Sequence, residues 1–291
     1  MLDRRLILVS LIWGVNFSLV KYALNEFYPL SFTIVRFSLS ALFLACVLIM
    51  TGESLRIKNK DISPLIRLGL IGITLYNILF MYGLKFTSAT NSALLISLSP
   101  LFAALIQGVS KKERIILRSR VGILLSSVGV FLIIQSKPRG ISFSHHDLAG
   151  GLLTICASVC WALYTIKSKP LLQEYSAVKV TAYSMATGSL LLLPMSLREL
   201  ALQSWSGVSV QAWEAFGFST FVSGGIAFSL WYQGVQRLGV TRTVVYHYFV
   251  PFFAVIFAAL FLGEQISIVQ IIGGIGILAG VALVQNTRND P

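Results

Sequence analysis

Apolar positions in this chain form long continuous runs, and polar positions gather between them. The runs are Leu6–Leu24, Phe32–Met50, Leu68–Leu84, Ser92–Val109, Ile115–Ile134, Leu148–Ile166, Val180–Met195, Trp213–Gly234, Thr243–Leu262 and Ile266–Val284. Most approach the roughly 20 residues that a helix needs to cross a bilayer core. Continuity, rather than alternation, predicts helices and not barrel strands. The fifth run carries Arg118 and Arg120, and the seventh is short. Arginines near a helix end reach the interface by snorkelling, so the fifth is retained as a crossing.

The second half repeats the first. At a shift of 151 residues, Leu79–Leu132 lies on Leu230–Leu283 without a gap. The coincidences include Gly83/Gly234, Thr90/Thr241, Pro100/Pro251, Glu113/Glu264, Gly122/Gly273 and Gly129/Gly280. Leucines match cheaply in apolar sequence; prolines, a carboxylate and glycines in register do not. Trp13-Gly14 echoes Trp161-Ala162 at a shift of 148. Five crossings per copy put the copies upside down relative to each other, so Glu113 falls at one face and Glu264 at the other. The expected fold is therefore an all-α integral membrane protein, with ten transmembrane helices in two inverted five-helix repeats. The first repeat is 1–135 (helices one to five), the periplasmic linker 136–147, and the second repeat 148–291 (helices six to ten). Inverted repeats of this kind place a transport site at the midplane.

Composition agrees. Apolar residues make up 56% and charged residues 12%, about half the charge of a soluble chain, and the mean hydropathy is +0.80. Short loops let Lys and Arg set the orientation. Of 23 such residues, 17 fall on the side of the N-terminus and 5 on the other, with Arg36 inside a helix. That bias predicts both termini in the cytoplasm and a multi-pass protein of the cytoplasmic (inner) membrane. It also accounts for the net charge of +12 without a nucleic-acid partner. Anionic lipid of the bilayer is the expected electrostatic partner. Trp13, Asn16 and Lys21 precede no small-residue cleavage site, which favours a retained first helix. Cys46, Cys156 and Cys160 lie in predicted helices with no second ligand pair, so neither a metal site nor a disulfide framework is expected.

Several motifs together carry a family resemblance: Trp13-Gly14-Val15-Asn16-Phe17, Pro29 followed by Arg36-Phe37, Tyr82-Gly83-Leu84, Ala93 to Pro100, and Leu262-Gly263-Glu264 before a glycine-rich last helix. The chain resembles the EamA-type ten-helix transporters of the drug/metabolite transporter superfamily. The resemblance implies a carrier with a central cavity lined by helices one to four and six to nine, with helices five and ten peripheral. Similar members often export amino acids or other small metabolites. The first copy departs at Lys111-Lys112-Glu113, where Leu-Gly-Glu is usual, and the second has Ser184 where the first has Arg36.

All eleven carboxylates fall in loops or near predicted helix ends. A carrier of cations or protons usually places an acid within the membrane, so facilitated diffusion or coupling through another group gains ground. His247 titrates near neutrality when unperturbed. It serves either as a substrate contact or proton switch, or as a neutral histidine bonded to a neighbouring helix. Arg36 lies a few residues into its helix, and snorkelling to the outer interface is preferred to substrate contact. Pro100 and Pro251 lack an N–H and clash with the carbonyls of Ile96 and His247, which predicts two kinks at equivalent places and backbone lining a cavity. They are assigned as kink and gating residues.

Aromatic rings with a few hydrogen-bonding groups suit amphipathic or zwitterionic metabolites. Candidate substrate contacts are Trp13, Asn16, Tyr76, Asn77, Phe80, Trp161, Tyr164, Tyr183, Thr187, Trp231 and His247. Interfacial belts are the competing explanation for Trp and Tyr, and they win for Tyr28, Trp205 and Trp213. Glycines at close spacing in helices five and ten, including Gly276 and Gly280, permit tight helix contact. A monomer or weak homodimer is expected. The expected activity is a secondary transporter for small metabolites, most of all amino acids in the export direction, with no enzymatic step, cofactor or metal. The alternatives are a multidrug exporter of the same type and an integral-membrane enzyme acting on a lipid-linked substrate. The scattered carboxylates, without an acid or ligand cluster near an interface, weigh against the enzyme.

Overall fold

The computed structural model describes residues 3–110, 117–137, 140–141 and 145–286. The chain is helical almost throughout. We label the continuous helical segments α1 (Arg4–Ala23), α2 (Pro29–Met50), α3 (Asn59–Phe86), α4 (89–110), α5 (Leu117–Gln135), α6 (His145–Glu174), α7 (Ala177–Leu202), α8 (210–238), α9 (240–262) and α10 (Ile268–Asn286). Between α5 and α6 a short ladder pairs Ser136 with Ile141 and Lys137 with Gly140. Glu113 and Ile115 of the repeat, and Pro138 and Arg139 of the linker, lie outside the described residues. Among the described residues, α1–α4, α6, α7 and α9 contain the 7 stretches long and apolar enough to cross a membrane.

Local chemistry sets the helix ends. Asp3 accepts the N–H groups of Arg5 and Leu6 at the start of α1. Ser88, Ser176 and Ser209 cap α4, α7 and α8 in the same way, each satisfying an N–H with no partner inside the helix. Pro29 opens α2, where a missing N–H costs nothing. Gly263 takes a left-handed conformation (φ +63°) and ends α9. Two helices outrun the apolar pattern. α3 starts at Asn59 rather than Leu68, and α7 runs over 26 residues rather than the short stretch Val180–Met195. In both, polar residues extend the helix beyond its apolar run, because backbone hydrogen bonding does not stop where hydropathy does.

Among the described residues, each half contains two irregular stretches within its helices. α3 is π-helical over Leu70–Leu75, and α8 over Phe218–Ala227. α4 runs as Ala89–Ile96, breaks at Ser97 and Leu98, and resumes as Ser99–Ser110. α9 runs as Val240–Val244, tightens to a 3-10 turn over Val245–Tyr248, and resumes at Phe249. Each of these two breaks falls just before a proline, Pro100 or Pro251, where the ring would clash with the carbonyl four residues back.

Helix packing follows a pattern of exchange. α1 packs on α9 and α8, and α6 on α4 and α3. α2 packs on α7 and on the π-helical part of α8, and α7 on the π-helical part of α3. α5 and α10 pack chiefly on each other. There the backbones approach closely: a Cβ on Gly129 would stand 2.5 Å from the carbonyl oxygen of Gly273, and one on Gly280 only 2.4 Å from that of Gly122. A large apolar core unites α1–α4 with α6–α9. A smaller cluster, with Leu95, Leu98, Ile133 and Ile277, fastens α5 and α10 to α4.

Polar ties join the two halves at both ends of the bundle. At the end where α1 begins, Arg237 donates to Asp3 at 2.8 Å, Tyr175 donates to Asp61 at 2.8 Å, and Lys58 pairs with Glu174. Glu174 holds the Lys58 ammonium above its usual range. At the other end, Glu26 accepts from the N–H and hydroxyl of Ser209 at 2.6 and 2.7 Å, which pulls its carboxyl below the usual range. Gln203 accepts from Tyr28 N–H at 2.8 Å. The chain turn at Gly263 brings Glu264 back to the first residues of α4, where it accepts from Ala89 and Thr90 N–H at 2.8 and 3.1 Å. Negative charge at a helix N-terminus is stabilising there.

Candidate functional site

A cavity lies between the halves. Trp13, Asn16 and Phe17 of α1 line it, with Arg36 and Phe37 of α2 and Tyr76, Asn77 and Phe80 of α3. Ile96, the last helical residue before the break in α4, reaches it, and from the second half come Trp161 (α6), Ser223 and Phe228 (α8), and His247 and Val250 (α9). Its free volume is about 40 Å³, room for on the order of three waters. In this conformation the side chains close on one another, and a metabolite needs them to part.

Rings make most of the wall. Trp13 meets Trp161 edge-on at 5.2 Å between centroids, and Tyr76 stacks on Phe80 at 5.5 Å. Trp161 lies almost parallel to His247 at 5.8 Å. His247 is 4% exposed, and its Nδ1 stands 3.0 Å from Ser99 Oγ across the two broken helices. That is the histidine bonded to a neighbouring helix, and it lines the cavity as well.

Polar atoms are few and several are unmatched. Asn77 donates from its amide nitrogen to Ile73 O at 2.8 Å, which fixes its orientation and leaves Oδ1 buried without a partner. Asn16 Oδ1 and Trp161 Nε1 are also buried without a protein partner. Buried polar atoms are nearly always satisfied, so these mark places where water or a ligand supplies the missing bond.

The π-helical stretch of α8 supplies acceptors. Ser219 O takes Arg36 Nε–H at 2.9 Å, Thr220 O takes the Ser40 hydroxyl at 2.7 Å, and Ser223 O takes Trp13 Nε1–H at 3.4 Å. Such widened turns recur at functional sites. Gly72, in the matching stretch of α3, leaves room for the ring of Tyr164: a Cβ would stand 2.0 Å from the ring carbon Cδ2.

Seven of the eleven sequence-derived candidates line the cavity: Trp13, Asn16, Tyr76, Asn77, Phe80, Trp161 and His247. Trp231 forms a wall behind it, with its ring 5.1 Å from Trp13 and 5.6 Å from His247. Tyr164 sits behind Trp161 and shares a hydrogen bond with Ser184 at 2.7 Å. Tyr183 and Thr187 are placed elsewhere. Tyr183 donates to Leu55 O and lines an apolar groove between α2 and α7, and Thr187 donates to Tyr183 O at 2.8 Å. Both side chains face the segment around the start of α3, Tyr183 through Leu55 O and Thr187 through Leu65 O at 3.4 Å.

Arg36 departs from its expected place. It does not snorkel to the interface but is 3% exposed inside the bundle, because Ser219 O and Ser223 Oγ lie within its reach. Phe37, Ser223, Phe228 and Val250 line the cavity as well and are not among the sequence-derived candidates. The small polar run Ser223-Gly224-Gly225 within an apolar helix was the available signal for Ser223.

Comparisons with known proteins agree with this architecture. The family model described as the EamA-like transporter family matches residues 5–135 and again 148–285. The chain is 30% identical over 273 residues to the Bacillus subtilis protein named "uncharacterized transporter YyaM", covering 94% of this chain and 89% of that one. It is 33% identical over 279 residues to an Archaeoglobus fulgidus protein named "uncharacterized transporter", covering 96% and 95%. It is 25% identical over 281 residues to a protein of Streptantibioticus cattleyicolor named "probable terminal-alkyne amino-acid exporter", covering 96% and 91%. A protein of known crystal structure shares the fold with a TM-score of 0.70 at 19% identity, covering 98% of both chains. The chain belongs to the EamA-like transporter family and is a multi-pass membrane transporter.

Proposed function

We propose that this transporter moves small amphipathic or zwitterionic metabolites, amino acids foremost and in the export direction, across the cytoplasmic membrane by alternating access at a midplane cavity. The observation that carries the reading is the cavity itself. It is built from both halves, walled by aromatic rings, and contains the unmatched polar atoms of Asn16, Asn77 and Trp161. Rings accommodate an apolar side chain, and the unmatched atoms offer bonds to a polar head. The name of the Streptantibioticus relative points to the same class.

In this proposal the chain crosses the membrane ten times, in two inverted repeats of 1–135 and 148–291 joined by 136–147, with both termini cytoplasmic. The helix packing supports it: exchanging α1–α5 with α6–α10 turns each principal packing pair into another of the set. The π-helical stretches and the proline breaks exchange in the same way. The polar ties at the two ends act as alternating latches, and the small cavity volume corresponds to both being closed.

Counterflow in proteoliposomes tests the reading. Vesicles preloaded with pooled neutral amino acids, or separately with other small metabolites, are given labelled substrate without an ion gradient. Saturable exchange of the amino acids is expected. Folded protein that exchanges neither pool would leave the reading without support.

A further inference from the structure

The cavity contains one full charge and nothing among the described residues to neutralise it. Arg36 is buried on the α2–α8 side, and no Asp or Glu lines the space around it. Its two described hydrogen bonds go to neutral acceptors, Ser219 O at 2.9 Å and Ser223 Oγ at 3.4 Å. A guanidinium has five N–H donors in a planar fork, so donors remain beyond those two bonds. A buried cation without a counter-charge is strongly disfavoured unless a partner arrives.

We propose that Arg36 is the carboxylate anchor of the cavity, so that the substrate is a monoanionic or zwitterionic carboxylate held in one orientation. Its acid group lies on the α2–α8 side against the guanidinium, and Trp161 Nε1–H is a second donor to it. The amide oxygens of Asn16 and Asn77 accept from the substrate's ammonium. The fork of an arginine matches a planar carboxylate in two parallel bonds. One cation neutralises one carboxylate, whereas a phosphate dianion would carry an excess negative charge into an apolar chamber. The anchor exists in one half only. The equivalent residue of the second half, Ser184, is spent on bonds to Tyr164 and Thr181 O. The orientation is therefore fixed by a charge that the cavity wall carries on the α2 side and lacks at the equivalent place in α7.

This inference rests on the carrier reading and goes beyond it by naming the group that is recognised. The experiment is counterflow with neutral L-amino acids and, in parallel, with their carboxamides, which keep the side chain and amine but lack the acid. The wild-type protein is expected to prefer the acids by at least about tenfold. Arg36→Gln is expected to lose that preference through weaker apparent affinity for the acids alone. Trp161→Phe, which keeps a ring and removes the donor, should narrow the preference in the same direction.

A wild-type protein that exchanges carboxamides as well as acids overturns the anchor and leaves the carrier reading standing. So does an Arg36→Gln protein that weakens both series equally. Exchange of neither series removes both the reading and the inference. Should Arg36→Gln fail to fold, the wild-type comparison and Trp161→Phe decide: preference for acids that Trp161→Phe narrows supports the anchor, and preference untouched by it overturns the proposed geometry.

Discussion

Ser99 Oγ and His247 Nδ1 stand 3.0 Å apart and join the two proline-broken helices at the point where each loses its regular hydrogen bonding. Ser99 immediately precedes Pro100, and His247 is the residue whose carbonyl Pro251 displaces. The contact thus couples the broken turns of α4 and α9, one from each half. It should couple them energetically too. Ser99→Ala and His247→Phe, each removing the bond while keeping side-chain bulk, should together destabilise by less than the sum of the two. The difference should be about 0.5–1.5 kcal/mol. Additive losses in thermal or denaturant unfolding would show that the two groups merely lie near each other.

The prolines themselves concern motion. Each break sets a residue on the cavity wall: Ile96, the last helical residue before the break in α4, and His247, within the 3-10 turn of α9. Pro100→Ala and Pro251→Ala allow the helices to regularise, and the double variant should lose maximal transport rate more than apparent affinity. Wild-type turnover in the double variant would remove the breaks from the transport cycle.

The contact of α5 with α10 makes a contrast within one helix. A Cβ on Gly280 would press on Gly122 O and Ser126 Oγ, both at 2.4 Å, whereas one on Gly276 meets nothing nearer than 3.6 Å. Gly280→Ala should therefore destabilise by about 1–3 kcal/mol, seen as a lower melting temperature in detergent. Gly276→Ala should melt close to wild type. Equal melting of the two variants would mean that the helices separate easily.

Glu26 gives the fold an acid-sensitive tie. Hydrogen bonds from Ser209 N–H and Oγ favour the ionised carboxyl, so its folded value lies below the unfolded one. The stabilisation is complete above the ordinary Glu range, about 4.3, and is lost as pH falls through the lower folded value. The melting temperature of the wild type should drop more on acidification through this range than that of Glu26→Gln. Parallel curves would show that the tie contributes nothing measurable.

Much of this was legible in the primary structure, and for stated reasons. Bilayer thickness forces long apolar runs, so the helices show in the hydropathy. Proline chemistry is local, so the breaks before Pro100 and Pro251 follow from two residues. The cavity candidates Trp13, Asn16, Asn77, Trp161 and His247 were legible because polar and broad aromatic side chains are conspicuous among leucines. Three kinds of feature were not legible. Tyr183 and Thr187 share a face as their spacing requires, but no periodicity says which neighbour that face meets. The π-helical stretch of α3 has no distinctive composition, since Leu70–Leu75 is an ordinary apolar run. The start of α3 at Asn59 follows from backbone bonding that continues past the apolar segment.

The sequence by itself determined the helices, the two proline breaks, the match of one half with the other and the family. Those depend on hydropathy, backbone chemistry and register, which are properties of single residues and their spacing. Only the tertiary structure decided where Arg36 goes. An arginine near a helix end can reach water or turn inward. The choice fell inward because α8, more than 180 residues away in the chain, widens into a π-helix and offers Ser219 O and Ser223 Oγ within its reach.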